Sequence, residues 1–265
     1  MAKAGRETLP ESGAMKFLDL TFPEPAENLA CDEALLDWCR SSGADEILRV
    51  WEPRQTFVVL GQSNRFRREV RVDHSEVRGV PIMRRCSGGG TVLQTPGCFN
   101  YALVLRVSDR PELKTVSGAN QSIMEKHRGM LQALLRKPVH VQGHTDLAVA
   151  SNSAATSEAA SPLCKVSGNA QRRTRNHLLF HGTFLLNLDL EMVEQFLAMP
   201  SKEPAYRSRR SHAEFLLNLH LPRSRIAEGL RRIWNASETF QEVDGLNICK
   251  LAQERYVSPE WNFRY

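Results

Sequence analysis

The sequence is poor in aromatic residues and in long apolar runs, and its cysteines lack metal-binding spacing. Aromatics make up 7% of the 265 residues. No stacking aromatics or helix-turn-helix pattern accompany the basic runs, which leaves a nucleic-acid-binding regulator the weakest reading of them; no nucleic-acid partner is expected. Uninterrupted apolar stretches span four to six residues, as at Phe57–Leu60 and Leu147–Ala150, far below the roughly 20 that cross a bilayer. No membrane association is expected. The first ten residues alternate charged and small residues with no apolar core, so no secretory signal is expected and the cytoplasm is the default location. Six cysteines (31, 39, 86, 98, 164 and 249) form no CxxC pair, so the chain carries no paired-cysteine zinc motif. They read as small buried hydrophobes, not as a structural zinc site.

What is present describes an ordinary globular chain: 42% hydrophobic, 25% charged, 16 Gly and 13 Pro. Lys plus Arg is 35 against 30 for Asp plus Glu, a formal charge of +5. Arginines cluster at Arg65–Arg71, Arg84–Arg85, Arg172–Arg175 and Arg207–Arg210. The guanidinium fork suits phosphates or acidic protein surfaces.

Residues 1–14 are polar and aperiodic, which predicts a disordered tail. The low-complexity stretch 151–162 predicts a flexible loop. Apolar alternation predicts strands at Met15–Leu20, Glu46–Trp51, Thr56–Gln62, Asn100–Val107, Asp146–Ala150, Cys164–Ala170 and Leu178–Leu188. Helices are expected from an Asn28 N-cap to Arg40, and over 118–136, 190–198, 210–218 and 223–236. Strands first, with helices segregated, argue an α+β fold in which helices pack a mixed sheet.

The strongest chemical feature is Arg84-Arg-Cys-Ser-Gly-Gly-Gly-Thr-Val92. Consecutive Gly88, Gly89 and Gly90 cost backbone entropy and fill no space, so they serve a backbone that approaches a ligand closely. The segment is neither a Walker loop nor a dinucleotide fingerprint. Lys165 enters a strand that is expected to turn at Gly168, where an inward ammonium needs an anion. His181, Gly182 and Thr183 interrupt an apolar run, and Asp146 offers a metal or ribose partner.

Taken in order from Met15 to Tyr265, several motifs resemble one family: Asn28-Leu-Ala-Cys-Asp-Glu-Ala, the Arg84–Val92 loop, Thr145-Asp-Leu, Lys165-Val-Ser-Gly-Asn-Ala, His181-Gly-Thr-Phe-Leu-Leu, Arg207-Ser-Arg-Arg and Glu260-Trp-Asn-Phe. The chain resembles the lipoate-protein ligases and their lipoyl/octanoyl-transferase and biotin-ligase relatives. The resemblance implies a biotin/lipoate ligase-like catalytic domain over 15–265. It implies that ATP converts lipoate or octanoate to an acyl-adenylate, whose acyl group passes to a lysine of a carrier protein. Arg84, Ser87, Gly88, Gly89, Gly90, Asp146, Lys165, Gly168, His181, Gly182 and Thr183 would line lipoate and adenylate. Lys165 would be catalytic. Mg²⁺ would enter as the ATP counter-ion, near Asp146. The implied acceptor is an acidic lipoyl domain or a glycine-cleavage-type H protein, docked on some of Arg172, Arg173, Arg207 and Arg209. Some ligases carry a small C-terminal domain beyond the Trp261 position; here an accessory subunit would replace it, or this branch would do without it. Gln94-Thr95 stands where many relatives have His-Asp, and Thr145 where they have Asn.

The same fold also supports a transferase that carries the acyl group on a cysteine. That chemistry needs a thiolate at the acyl carbonyl. Cys164 abuts Lys165 but faces the other side of a strand, which leaves Cys86 as the better thiol.

Overall fold

The computed structural model describes residues 15–42, 46–71, 79–108, 110–151 and 161–265. Its strands are β1 (Lys16–Asp19), β2 (Ile47–Trp51), β3 (Phe57–Leu60), β4 (Ile82–Arg84), β5 (Val92–Gln94), β6 (Cys98–Arg106), β7 (His140–Gln142), β8 (Asp146–Ala150), β9 (Leu163–Arg173), β10 (His177–Leu185) and β11 (Glu238–Thr239). Helices are α1 (Pro25–Ser42), α2 (Phe66–Glu69), α3 (Val116–Leu135), α4 (Leu190–Phe196), α5 (His212–Phe215), α6 (Arg223–Ile233), α7 (Ile248–Leu251) and α8 (Pro259–Asn262).

Eight strands form one sheet in the order β11-β1-β2-β6-β10-β9-β8-β7, parallel around β1 and antiparallel elsewhere. Central β6 is buried on both faces and is almost wholly apolar, as such a position requires. One face packs Ile123, Met124 and Leu131 of α3 and Ile226 and Leu230 of α6. The opposite face packs α1 through Leu35, Leu36 and Cys39, with Ile248, Ala252 and Tyr256 from the C-terminal helices. A smaller sheet, β4-β3-β5, has its own core against Val193 and Phe196 of α4. This is the expected α+β arrangement with a mixed sheet.

Two local expectations change. Asn28 is not an N-cap, because α1 already starts at Pro25. Its side chain instead closes the preceding loop, accepting from Phe22 N–H at 3.0 Å and donating to Phe22 O at 2.8 Å. The helix expected over 210–218 is the single turn α5, held by a capping box between Ser211 and Glu214. It stops because Leu217 N–H donates to Lys165 O at 2.9 Å, so the chain joins β9 and leaves the helical path. The tail 1–14 lies outside the described residues, as do 152–160 of the expected flexible loop. At that loop's base Ser151 N–H donates to Pro162 O at 3.0 Å.

Candidate active site

The site lies on the α1 face of the large sheet, and a bulge in β9 builds part of it. Ala148 pairs with Lys165 but Leu147 pairs with Ser167, so Val166 is an extra residue. A bulge reverses the side-chain parity of its strand. Strict alternation would put Lys165 and Gly168 on opposite faces; with the bulge both share the face of Thr183, the cross-strand partner of Gly168. β9 therefore continues through Gly168 to Arg173 and does not turn there, correcting the expectation from its sequence. The Lys165 side chain curls over Gly168, where a Cβ would lie 2.6 Å from both Cε and Nζ. Its ammonium meets Asp146 Oδ1 at 2.8 Å. The second carboxylate oxygen accepts from the Tyr206 hydroxyl at 2.9 Å, an interaction that, with burial, holds the phenol in its protonated form.

The glycine loop joins β4 to β5 and packs on β9 at Ala170. Arg85 organises it from within: its guanidinium donates to Gly88 O at 2.5 Å, Gly90 O at 2.8 Å and Ser87 Oγ at 3.1 Å. Gathering the Gly88 and Gly90 carbonyls on one cation turns the N–H groups of the same peptide planes, those of Gly89 and Thr91, away from it. Among the described residues no acceptor takes the N–H groups of Gly88, Gly89 and Gly90. The loop thus presents backbone donors, the chemistry of a nest that suits an anion. Gly89 sits at φ +87°, and a Cβ there would lie 2.9 Å from Arg85, so only glycine fits.

Arg84 does something else. Its side chain has no exposed surface and donates to the carbonyls of Gly61, Asn64, Trp261 and Asn262 at 2.8–3.1 Å. Arg84, expected beside the ligand, ties the C-terminal segment and the β3–α2 turn to the glycine loop. Burial lowers the pKa of both arginines to about 10, so both remain charged.

His181 lies on β10 opposite Ala102 and Ala170, whose small side chains leave it room. Its Nε2 is 2.6 Å from Ser87 Oγ and its Nδ1 is 3.0 Å from Asp32 Oδ2. Asp32 Oδ1 accepts from the wholly buried Arg49 at 2.6 Å. Arg49 also donates to Asn28 Oδ1 at 2.9 Å and to Asn28 O at 2.7 Å. Asn28 and Asp32, one turn apart on α1, therefore clamp a cation that β2 delivers into the interior. Glu33, beside them, meets Arg172 at 2.9 Å, Arg255 at 2.5 Å and Tyr256 Oη at 2.8 Å.

Behind β9, Asn169 Nδ2 donates to Thr145 O at 2.6 Å, Thr145 Oγ1 donates to Asn169 O at 2.7 Å, and Tyr101 Oη donates to Asn169 Oδ1 at 2.7 Å. Gln94 is locked to Asn100 and Thr183 by bonds of 2.9–3.1 Å. Sequence reasoning missed Asp32, Arg49, Asn169 and Tyr206 as neighbours of these residues. An arginine inside the apolar strand Ile47-Leu-Arg-Val-Trp was the one signal that pointed at Arg49 and hence at its counter-charge.

The cysteines are disposed elsewhere. Cys86 points into the α1 core, where burial and the Glu33 charge push its pKa up to about 12. Cys164, paired with Val149 on the face opposite Lys165, lies 3.6 Å from Glu214 O. Cys31, Cys39 and Cys98 are buried, and Cys249 is exposed on α7 near Glu27. Of the arginines expected on a docking surface, Arg207 is buried against Phe215 and bonded to Arg210 O, because the turn after Pro204 folds its side chain inward. Arg172 is paired with Glu33, Arg173 donates to Leu113 O, and Arg209 is exposed. The described residues hold no group of three or more metal-type ligands, and no helix among them is long and apolar enough to cross a membrane.

This fold and site define the class, and the comparisons agree. Residues 24–222 match the lipoyl protein ligase A/B catalytic domain, and the chain belongs to that family. It is 27% identical to the octanoyltransferase LipM of Geobacillus kaustophilus, over 94% of this chain and 98% of that protein. It is 24% identical to lipoate–protein ligase 1 of Staphylococcus aureus, over 94% of this chain and 73% of that protein. In fold it is similar to the bi-partite lipoate protein ligase of Thermoplasma acidophilum (TM-score 0.76, 22% identity, 94% and 96% covered). It is also similar to a lipoate-protein ligase A bound with ATP (TM-score 0.75, 22% identity, 95% and 99% covered).

Proposed function

We propose that the protein is a lipoate-protein ligase, activating lipoate or octanoate with ATP and passing the acyl group to a lysine of a carrier protein. One observation carries this reading: a lysine ammonium and a run of unpartnered backbone donors share one face of β9, while Cys86 is buried in the α1 core and Cys164 faces the other side of the strand. Cations and amide donors suit an intermediate with a phosphate and a polarised carbonyl; a thioester relay needs a thiolate. In the free protein Asp146 neutralises Lys165. An arriving anion takes over the ammonium, and Tyr206 keeps its bond to the released carboxylate. As charge develops on the carbonyl and phosphate oxygens, Lys165 and the glycine N–H groups hold it more tightly than the ground state, which is what lowers a barrier. Both Asp146 oxygens are engaged, so Mg²⁺ would enter with the nucleotide and not be caged by this carboxylate.

The acceptor proposed is an acidic lipoyl domain or H-type carrier; the Thermoplasma ligase is described with its E2 lipoyl domain and as bi-partite, the precedent for an accessory subunit here. The LipM relatives favour a second reading, octanoyl transfer from a carrier thioester without ATP. Pyrophosphate exchange into ATP, dependent on lipoate or octanoate, separates the two. The ligase exchanges, and the exchange is lost in Lys165→Met. No exchange, with consumption of an octanoyl-carrier thioester, would establish the second reading instead.

A further inference from the structure

Ser87, His181 and Asp32 come from three distant parts of the chain and meet as one hydrogen-bonded line of 2.6 and 3.0 Å, with Arg49 closing its far end at 2.6 Å. The direction of each bond follows from its neighbours. Arg85 Nε can only donate, so it occupies one lone pair of Ser87 Oγ and leaves the serine proton free to point elsewhere. Asp32, fixed by Arg49, accepts from His181 Nδ1–H. The neutral imidazole then carries its lone pair on Nε2, facing the Ser87 hydroxyl. This is the order nucleophile, base, orienter, followed in sequence by three glycines whose N–H groups are unpartnered.

We infer that Ser87 is an acyl-accepting nucleophile, with His181 its base and Asp32 its positioning residue, and that the protein takes acyl groups from thioesters without ATP. The inference uses the proposed site only in placing the acyl carbonyl at the glycine loop. Ser87 Oγ forms a bond to the carbonyl carbon as its proton passes to His181 Nε2. The carbon–sulfur bond breaks, and His181 returns the proton to the departing thiolate. Attack by an acceptor amine forms the amide, breaks the ester carbon–oxygen bond and restores the proton to Ser87 through His181. The glycine N–H groups receive the oxyanion in both halves. Ser87 thus supplies the nucleophile that no thiol of this chain is placed to supply.

The test uses the full chain with octanoyl-S-pantetheine and no ATP, following thiol release and mapping the acid-quenched protein by mass spectrometry. The expected result is a burst of thiol and an octanoyl ester on Ser87. Ser87→Ala abolishes both, and His181→Asn slows the burst by about a hundredfold or more. Ser87→Cys, nearly isosteric, keeps a burst and moves the adduct to a thioester, which guards against misfolding as the cause of loss. An adduct on any native cysteine, thiol release that survives Ser87→Ala, or no Ser87-dependent release from the wild type would overturn the inference. Pyrophosphate exchange on the wild type is scored separately and reports on the ATP-dependent reading alone.

Discussion

Acid should weaken this fold through one side chain behind the site. His127 of α3 is wholly buried, with its ring edge-on to Tyr101 at 4.9 Å between centroids. Trp234 Nε1–H donates to its Nε2 at 2.9 Å, which places the neutral ring's proton on Nδ1, where it finds no acceptor. Burial, with the nearby Lys126 charge, lowers the His127 pKa from 6.5 to about 3. A depressed folded-state pKa means that the unfolded chain binds this proton first. The contribution to stability is therefore complete above pH 6.5 and is lost as pH falls towards the folded value. Each pH unit in that window costs about 1.4 kcal/mol, so some 2 kcal/mol is gone by about pH 5. His127→Gln keeps a neutral acceptor for Trp234 and removes the titration. Urea unfolding of both proteins at about pH 7.5, 6 and 5 should show the wild type losing the extra 1.4 kcal/mol or so per unit below 6.5. Parallel pH slopes would refute the reasoning. The effect reaches function because Tyr101 holds Asn169 in the strand that carries Lys165.

Lys165→Met should fold normally and lose about a hundredfold or more in acyl activation, whereas Cys164→Ala, on the other face of β9, should stay near wild-type activity; turnover and circular dichroism check both. Arg84→Met leaves buried carbonyls of Gly61, Asn64, Trp261 and Asn262 without their donor, and a loss of a few kcal/mol in urea unfolding is expected. Acyl transfer to an acidic carrier should slow as ionic strength rises, and Arg209→Glu, an exposed member of the expected docking surface, should raise the carrier KM without changing pyrophosphate exchange. Equal transfer rates at low and high salt would remove the electrostatic part of that expectation.

Most strands were legible because the apolar runs are short, separated by turn residues and alternate where one face is polar. Local motifs also located the glycine loop, Lys165 and His181. What could not be read is where non-local pairing decides. In Lys165-Val-Ser-Gly, alternation puts Lys165 with Ser167; only the register against Leu147 and Ala148 shows that Val166 is the extra residue and that Lys165 shares a face with Gly168. Asp32 looked like one acid among several on a helix. Its meaning depends on Arg49 and His181, 17 and 149 residues away. Asn28 misled for a related reason: it has the chemistry of an N-cap, but Phe22 and Arg49 compete for its side chain and win.

The arginines hold the more general lesson about reading anion sites. A guanidinium beside glycines offers donors to any oxygen within reach, and a glycine-rich loop brings its own carbonyls closest. Arg85 turns Nε and Nη2 to Gly88, Gly90 and Ser87, and Arg84 is committed to the turns it braces, so both guanidinium groups are directed at the protein's own carbonyls. The positive charge still acts at the ligand, but through geometry: drawing carbonyls inward presents amide N–H groups outward. Such a site donates through a rigid backbone and needs no flexible cation to be ordered when the ligand arrives, which lowers the entropy cost of binding. Lys165, on the neighbouring strand, has its charge compensated by Asp146. Charge reversal at Arg85 would therefore collapse the loop, whereas loss of Lys165 would spare the loop and remove the chemistry.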